Sequence, residues 1–169
     1  MKKVNIMLVI FSVINLENVV ERSFDLTERE GGKLYVTLIQ EEKIPSALSS
    51  LLMYNGFLGE KVKEDVKDTI KKEYKRRTSR ILNEIETKAD EQGIHLVETD
   101  SVKKASLMDC YDLIEEDNID YLILNYTNNK FVSRTVYEYF HEEFIENLDI
   151  PCEVFMDGEK KKVDTLGGG

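Results

Sequence analysis

Apolar positions along the chain follow two rhythms: short continuous runs, and longer stretches in which apolar residues return every third or fourth place. Residues 4–11 form an apolar, partly β-branched run, as in a strand buried on both faces of a parallel sheet. Asn15 then stands where a helix cap belongs, with Leu16, Val19, Val20, Ser23 and Leu26 facing inward behind it. Gly31 and Gly32 supply the left-handed conformation that ends such a helix. Residues 33–40 read as a second strand, Leu34, Val36 and Leu38 alternating with Tyr35, Thr37 and Ile39. Residues 94–99 make a third, shorter and more polar, suited to a sheet edge.

Ser106-Leu107-Met108-Asp109 fits a capping box and opens a helix to about Glu116, stopped by Asn118. Residues 120–125 are a fourth strand. Val132, Val136, Phe140, Phe144 and Leu148 recur every fourth residue and mark a last helix, with Phe140 at its buried centre. Pro151 stops it, and Cys152–Met156 follows as a fifth strand, expected at an exposed edge. Residues 1–158 thus make one domain, and residues 159–169, charged and then glycine-rich, are expected to be a disordered tail.

Between the second and third strands, residues 41–93 are unusually long for one crossover. Their second half predicts one long helix with Val62, Val66, Ile70, Tyr74, Ile81, Leu82, Ile85 and Ala89 on one side. The first half contains an apolar stretch, 44–58, too rich in Leu, Phe, Tyr and Met for a free loop. Two readings of that stretch stand: a cover over the strand ends or contact with a partner subunit, and packing on its own domain. Strands joined by helices of these lengths are parallel, with right-handed crossovers. The fold class is therefore α/β, an open doubly wound five-stranded parallel sheet with helices on both faces.

Composition removes several classes. With 41% hydrophobic and 33% charged residues and two prolines, the chain is that of a folded domain. The net charge of −10 repels phosphate at long range, so no nucleic-acid partner is expected. Met1-Lys2-Lys3 before the apolar run imitates a secretory signal, but Asn5 interrupts the run and no small-residue cleavage site follows. No stretch reaches membrane-spanning length. A cytoplasmic protein with two reduced thiols, Cys110 in a core stripe and Cys152 at a strand start, is the expectation. His95 and His141 lack ligand spacing with those cysteines, so no metal is expected.

Residues 61–80 hold nine basic and four acidic residues, with Glu64, Asp68 and Glu73 spaced to pair with neighbouring bases on a solvated helix. Lys103-Lys104 precede a helix near the strand ends and are read as a solvated pair. No nucleophile, base and orienting group come together along the chain, and no enzyme is assigned. Val9-Ile10-Phe11-Ser12 also lacks the clustered acids that a phospho-receiver domain needs.

The order of elements, the long second helix included, resembles the universal stress protein family over residues 3–157. That resemblance implies five parallel strands in order 3-2-1-4-5. Family members that bind ATP carry, after the fourth strand, Gly-x-x-Gly, nine residues, and Gly-Ser or Gly-Thr; a proline later opens the fifth strand. Laid on this chain without gaps, the pattern starts at Asn125-Tyr126-Thr127-Asn128, passes residues 129–137, meets Glu138-Tyr139 and reaches Pro151. The frame is kept and every glycine is lost. The aspartate that usually ends the first strand is replaced by Phe11, followed by Ser12.

Those glycines let phosphate approach backbone N–H groups, and a Cβ blocks the approach. A carboxylate such as Glu138 about 5 Å from a phosphate charge, at an effective dielectric of about 20, costs about 3 kcal/mol. No cofactor is therefore expected, and no ATP. The candidate ligand-contact residues are Ile10, Phe11, Ile39, Asn125, Thr127 and Asn128. The expected function is a non-enzymatic stress or regulatory protein. The resemblance adds a homodimer through the fifth strand, Cys152–Met156. The alternative is a small-molecule sensor that uses an altered crevice at the strand ends.

Overall fold

A computed structural model describes residues 2–38, 60–98, 107–126 and 146–161. In chain order these form β1 (Ile6–Ile10), α1 (Leu16–Glu30), β2 (Leu34–Leu38), α2 (Glu60–Gln92), β3 (Leu96–Glu98), α3 (Leu107–Glu116), β4 (Tyr121–Tyr126), β5 (Cys152–Met156) and β6 (Glu159–Lys161). They build one six-stranded sheet in the order β3-β2-β1-β4-β5-β6. The first five strands are parallel to their neighbours, and β6 runs antiparallel to β5.

The central strands are mostly apolar on both faces, with Thr37 and Asn125 as buried exceptions, because helices cover both faces. All five residues of β1 and all five of β2 are buried. Ile6, Leu8, Ile10, Leu34, Val36, Leu38, Ile123 and Phe155 pack on one face with Val19, Val20, Phe24 and Leu26 of α1 and Ile85 and Ala89 of α2. Met7, Val9, Tyr35, Leu122, Leu124 and Val154 face the other way, against Cys110, Leu113 and Ile114 of α3. The doubly wound arrangement follows from this alternation.

Gly31 ends α1 as expected, with φ 68° and its N–H donated to Thr27 at 2.8 Å. Asn15 does not cap that helix. It sits in the left-handed region (φ 50°) with no capping bond, because its side chain is engaged elsewhere. Asn118, also left-handed at φ 51°, follows α3 where a stop was expected. Within the 33 residues of α2, Thr78, Ile85 and Ala89 are buried, and the inward stripe holds over the second half. At 1.5 Å per residue the helix is about 50 Å long, against about 17 Å for a five-residue strand. Among the described residues its first half buries no side chain.

Two expectations are corrected. The sheet has six strands rather than five, and residues 159–161 are the sixth rather than the start of a disordered tail. Asp157-Gly158 makes the turn between β5 and β6, with φ 50° and 82°. An Asp-Gly pair with both residues left-handed is what a two-residue hairpin demands. In consequence β5 is not the exposed edge: Val154, Phe155 and Met156 pair with Lys161, Lys160 and Glu159. The capping box at Ser106, the apolar stretch 44–58 and most of the last helix, Phe140 included, lie outside the described residues, as do residues 162–169.

Candidate functional site

β1 and β4 are neighbours at the middle of the sheet, and connections leave them in opposite directions. Ligands in open α/β folds bind at such a point, beyond the carboxyl ends of the strands. Here the place is organised by Asn125, which is fully buried. Its amide nitrogen donates to the carbonyl of Ser12 at 2.8 Å and lies 3.5 Å from that of Ile14. Its amide oxygen accepts the N–H of Gly158 at 3.0 Å. Its backbone carbonyl accepts the N–H groups of Phe11 (2.8 Å) and Ser12 (3.1 Å).

Around Asn125 the loop after β1 and the β5–β6 turn are joined directly. The Ser12 hydroxyl donates to Asp157 Oδ1 at 3.1 Å and accepts the N–H of Ile14 at 3.2 Å. Asn15 Nδ2 donates to the carbonyl of Asp157 at 3.0 Å. Contact is so close that a Cβ on Gly158 would stand 2.5 Å from both Cβ and the carbonyl oxygen of Asn15. Both ends of the Asn125 amide are thus engaged within the chain. Beside them the loop shows Val13 and Ile14 to solvent, 44% and 42% exposed.

Of the sequence candidates, Ile10 is fully buried in the core on the α1 side and is the register partner of both Leu38 and Asn125. Phe11 is half-buried against the opposite core and meets Asn125 through its backbone N–H. Ile10 and Phe11 therefore belong to opposite faces of the sheet. Ile39, Thr127 and Asn128 lie outside the described residues, with Lys103, Lys104, Glu138 and Tyr139. The hairpin partners Asp157 and Gly158 escaped sequence reasoning, although Met156-Asp157-Gly158-Glu159 carries the Asp-Gly signal of a hairpin.

A second polar constellation was also missed. Glu153 is buried within β5 and is held from three other elements. Arg22 of α1 donates from Nε at 3.0 Å and from Nη2 at 2.5 Å, a bidentate pair. The Tyr121 hydroxyl of β4 donates at 2.8 Å, and Lys160 of β6 lies at 3.5 Å. Burial by itself would raise the Glu153 pKa; the hydrogen bonds from Arg22 and Tyr121 and the charges of Arg22 and Lys160 outweigh it and bring it to about 2. Burial, then the bond to Glu153, pushes Tyr121 up to about 12. A glutamate on the buried face of an apolar strand was the available signal, since such a charge needs a partner.

Burial, then the neighbouring Glu153 charge, pushes the Cys152 thiol up to about 12, which favours the protonated thiol at neutral pH. Ser12 meets a carboxylate without an intervening imidazole. Among the described residues no group of acids, histidines and cysteines is placed to hold a metal ion. Among them, too, no helix is long and apolar enough to cross a membrane.

No protein-family model matches the chain, and no curated protein matches it. Solved structures do. The hypothetical protein MJ0577 superposes with a TM-score of 0.60 at 11% identity, over 97% of this chain and 100% of its own. The universal stress protein UspA from Lactobacillus plantarum superposes at 0.51 and 12% identity, over 92% of this chain and 99% of its own. The universal stress protein from Archaeoglobus fulgidus in complex with dAMP gives 0.49 at 13%, over 95% and 100%. Identities this low speak to fold alone, and the fold of this chain is that of the universal stress proteins.

Proposed function

We propose that the chain is a non-enzymatic regulatory protein of the universal stress type, acting through contacts with other protein chains and not through bound ATP. The observation that carries this reading is Asn125. The resemblance lays it on the first glycine of the phosphate loop in the family's ATP-binding members, and here its side chain is buried and both ends of its amide are engaged by Ser12 and Gly158. A phosphate arriving there would have to break those bonds and displace the Asp157-Gly158 turn. Phe11, standing where the family's acid would end β1, adds bulk in place of charge.

The sensor reading needs an open crevice at the same strand ends, and Ile10, its apolar wall, is fully buried in the core. Calorimetry with magnesium and ATP is the test. We expect no binding tighter than about 1 mM, an affinity of about 4 kcal/mol. A micromolar dissociation constant would overturn the proposal. Mass spectrometry of ligands released from the purified protein separates the two readings, since a stoichiometric small molecule would favour the sensor.

A further inference from the structure

Asp157-Gly158 is the one Asp-Gly pair in the chain. Such a pair carries a chemistry of its own besides its turn geometry. With no Cβ on the second residue, the glycine amide nitrogen can approach the aspartyl side-chain carbon. The nitrogen attacks Cγ, a C–N bond forms, and the carboxyl hydroxyl leaves with the amide proton as water. Water then opens the resulting succinimide ring at either carbonyl. Opening at the side-chain carbonyl returns aspartate. Opening at the main-chain carbonyl leaves the backbone running through the side chain, as isoaspartate. No oxidant, reductant or metal takes part.

In the folded chain each group in that reaction is held. The Gly158 N–H, whose nitrogen is the nucleophile, donates to Asn125 Oδ1 at 3.0 Å. The Asp157 carboxylate, the group attacked, accepts the Ser12 hydroxyl at 3.1 Å. The Asp157 carbonyl accepts Asn15 Nδ2 at 3.0 Å, and the Asp157 N–H donates to the Tyr126 carbonyl at 2.9 Å. Ring closure needs Asp157 to turn about its side-chain and main-chain bonds until Cγ lies on the Gly158 nitrogen. These bonds oppose that turning together. Gly158 is also buried, with Asn15 filling the space where a Cβ would stand.

We propose that Asp157 is a site of spontaneous isomerisation to isoaspartate, and that the clasp of Ser12, Asn15 and Asn125 sets the rate by holding the turn shut. The reaction then runs through the fraction of molecules in which the β5–β6 hairpin has opened locally. Its product cannot close again. A two-residue hairpin needs positive φ at both central residues, and an extra backbone carbon between them destroys that geometry. With β6 goes Lys160, one of the cations that hold Glu153. Isomerisation thus converts a passing opening of the hairpin into a lasting one. It does so whether or not the chain binds ATP.

Peptide mapping of the full chain by mass spectrometry is the test, with electron-transfer fragmentation to tell isoaspartate from aspartate. The parent is incubated at neutral pH in buffer and in urea. Isoaspartate at Asp157 should accumulate in urea and at least about tenfold more slowly in buffer, as for a turn open less than about a tenth of the time. Ser12→Ala frees the carboxylate and Asn125→Ala frees the amide. Each should speed the reaction in buffer and leave it unchanged in urea, where no clasp exists. Circular dichroism checks that the variants fold; if Asn125→Ala does not, Ser12→Ala alone decides. Amide exchange over residues 159–161 should quicken in the isomerised parent. Equal rates in buffer and urea for the parent overturn the proposal, as does the absence of isoaspartate in both. A folded Ser12→Ala that isomerises no faster than the parent overturns control by the clasp, and unchanged protection of residues 159–161 overturns the loss of β6.

Discussion

Two polar clusters fasten the C-terminal hairpin to the rest of the sheet, and they do so by different physics. At the strand ends, Asn125, Ser12, Asn15 and the Asp157-Gly158 turn are joined by short bonds in which the central side chain, Asn125, is neutral. Midway along β5, Glu153 is held by Arg22, Tyr121 and Lys160. The first depends on backbone geometry: three of its residues, Asn15, Asp157 and Gly158, have positive φ. The second depends on charge. A buried amide carries no ionisation to lose, whereas a buried carboxylate holds only while its partners outweigh its desolvation. The bonds of Asn125 should therefore ignore pH where those of Glu153 do not.

The largest effect should come from turning the first cluster into a copy of the second. Asn125→Asp puts a carboxylate into a fully buried place that offers one N–H donor and the carbonyl of Ser12. Without a cationic partner its pKa must rise on folding. The penalty, about 4 kcal/mol, is fully expressed at pH 7 and shrinks as pH falls toward the unfolded value near 4. Urea unfolding at pH 7 and pH 5 checks it; an equal loss at both would mean the side chain escapes to water.

Arg22→Met makes the opposite disturbance. Glu153 keeps its burial and loses its bidentate partner, at a cost of about 3 kcal/mol at neutral pH. In the parent the Glu153 pKa is lowered from 4.5 to about 2, so its contribution is present above 4.5 and lost as pH falls through 2. The difference between parent and variant should narrow over that window. A constant difference would place the stabilisation in the packing of the Arg22 stem rather than in charge.

Legibility in the sequence divides along the same line. The five parallel strands, the three described helices and the two-sided core were readable because they rest on periodicity, which a single chain displays: the Cys152–Met156 strand was read to the residue. The anchors were not, because both are made between residues far apart in the chain. Nothing near Asn15 announces that its side chain will bond Asp157 instead of capping α1. The missing strand is a different case. Asp157-Gly158 signalled a hairpin, but the charged residues and the glycine-rich end beyond it read as a tail. Asn125 was singled out as a lost phosphate contact, and its role as a clasp came only with the distances.

Gly158→Ala tests the geometric anchor without adding charge. At φ 82° an alanine is strained, and its Cβ would meet Asn15 at 2.5 Å. We expect about 2 kcal/mol of destabilisation, the same at pH 5 and pH 7 because no titrating group is created. Amide exchange should report the change first at Glu159 and Lys161, where β6 would come away from β5. A penalty under about 0.5 kcal/mol would mean the turn is free to shift and the first anchor is slack.

Tyr121→Phe is the finest probe, because it removes one bond from the charged anchor and leaves its ion pair. The Tyr121 hydroxyl donates to Glu153 at 2.8 Å, and Arg22 and Lys160 remain to hold the carboxylate. A loss of about 1 kcal/mol at pH 7 is expected. The alkaline limb is more telling than the magnitude. Tyr121 is raised from 10 to about 12 in the folded chain, so the folded state holds the phenol proton where the unfolded chain has released it. Its contribution is complete below pH 10 and is lost as pH rises through 12. Over that interval the phenylalanine variant should lose stability less steeply than the parent, while the Gly158→Ala variant should follow the parent's slope. Parallel alkaline limbs for Tyr121→Phe and the parent would show that the phenol is not held by Glu153, and the charged anchor would reduce to its pairs with Arg22 and Lys160.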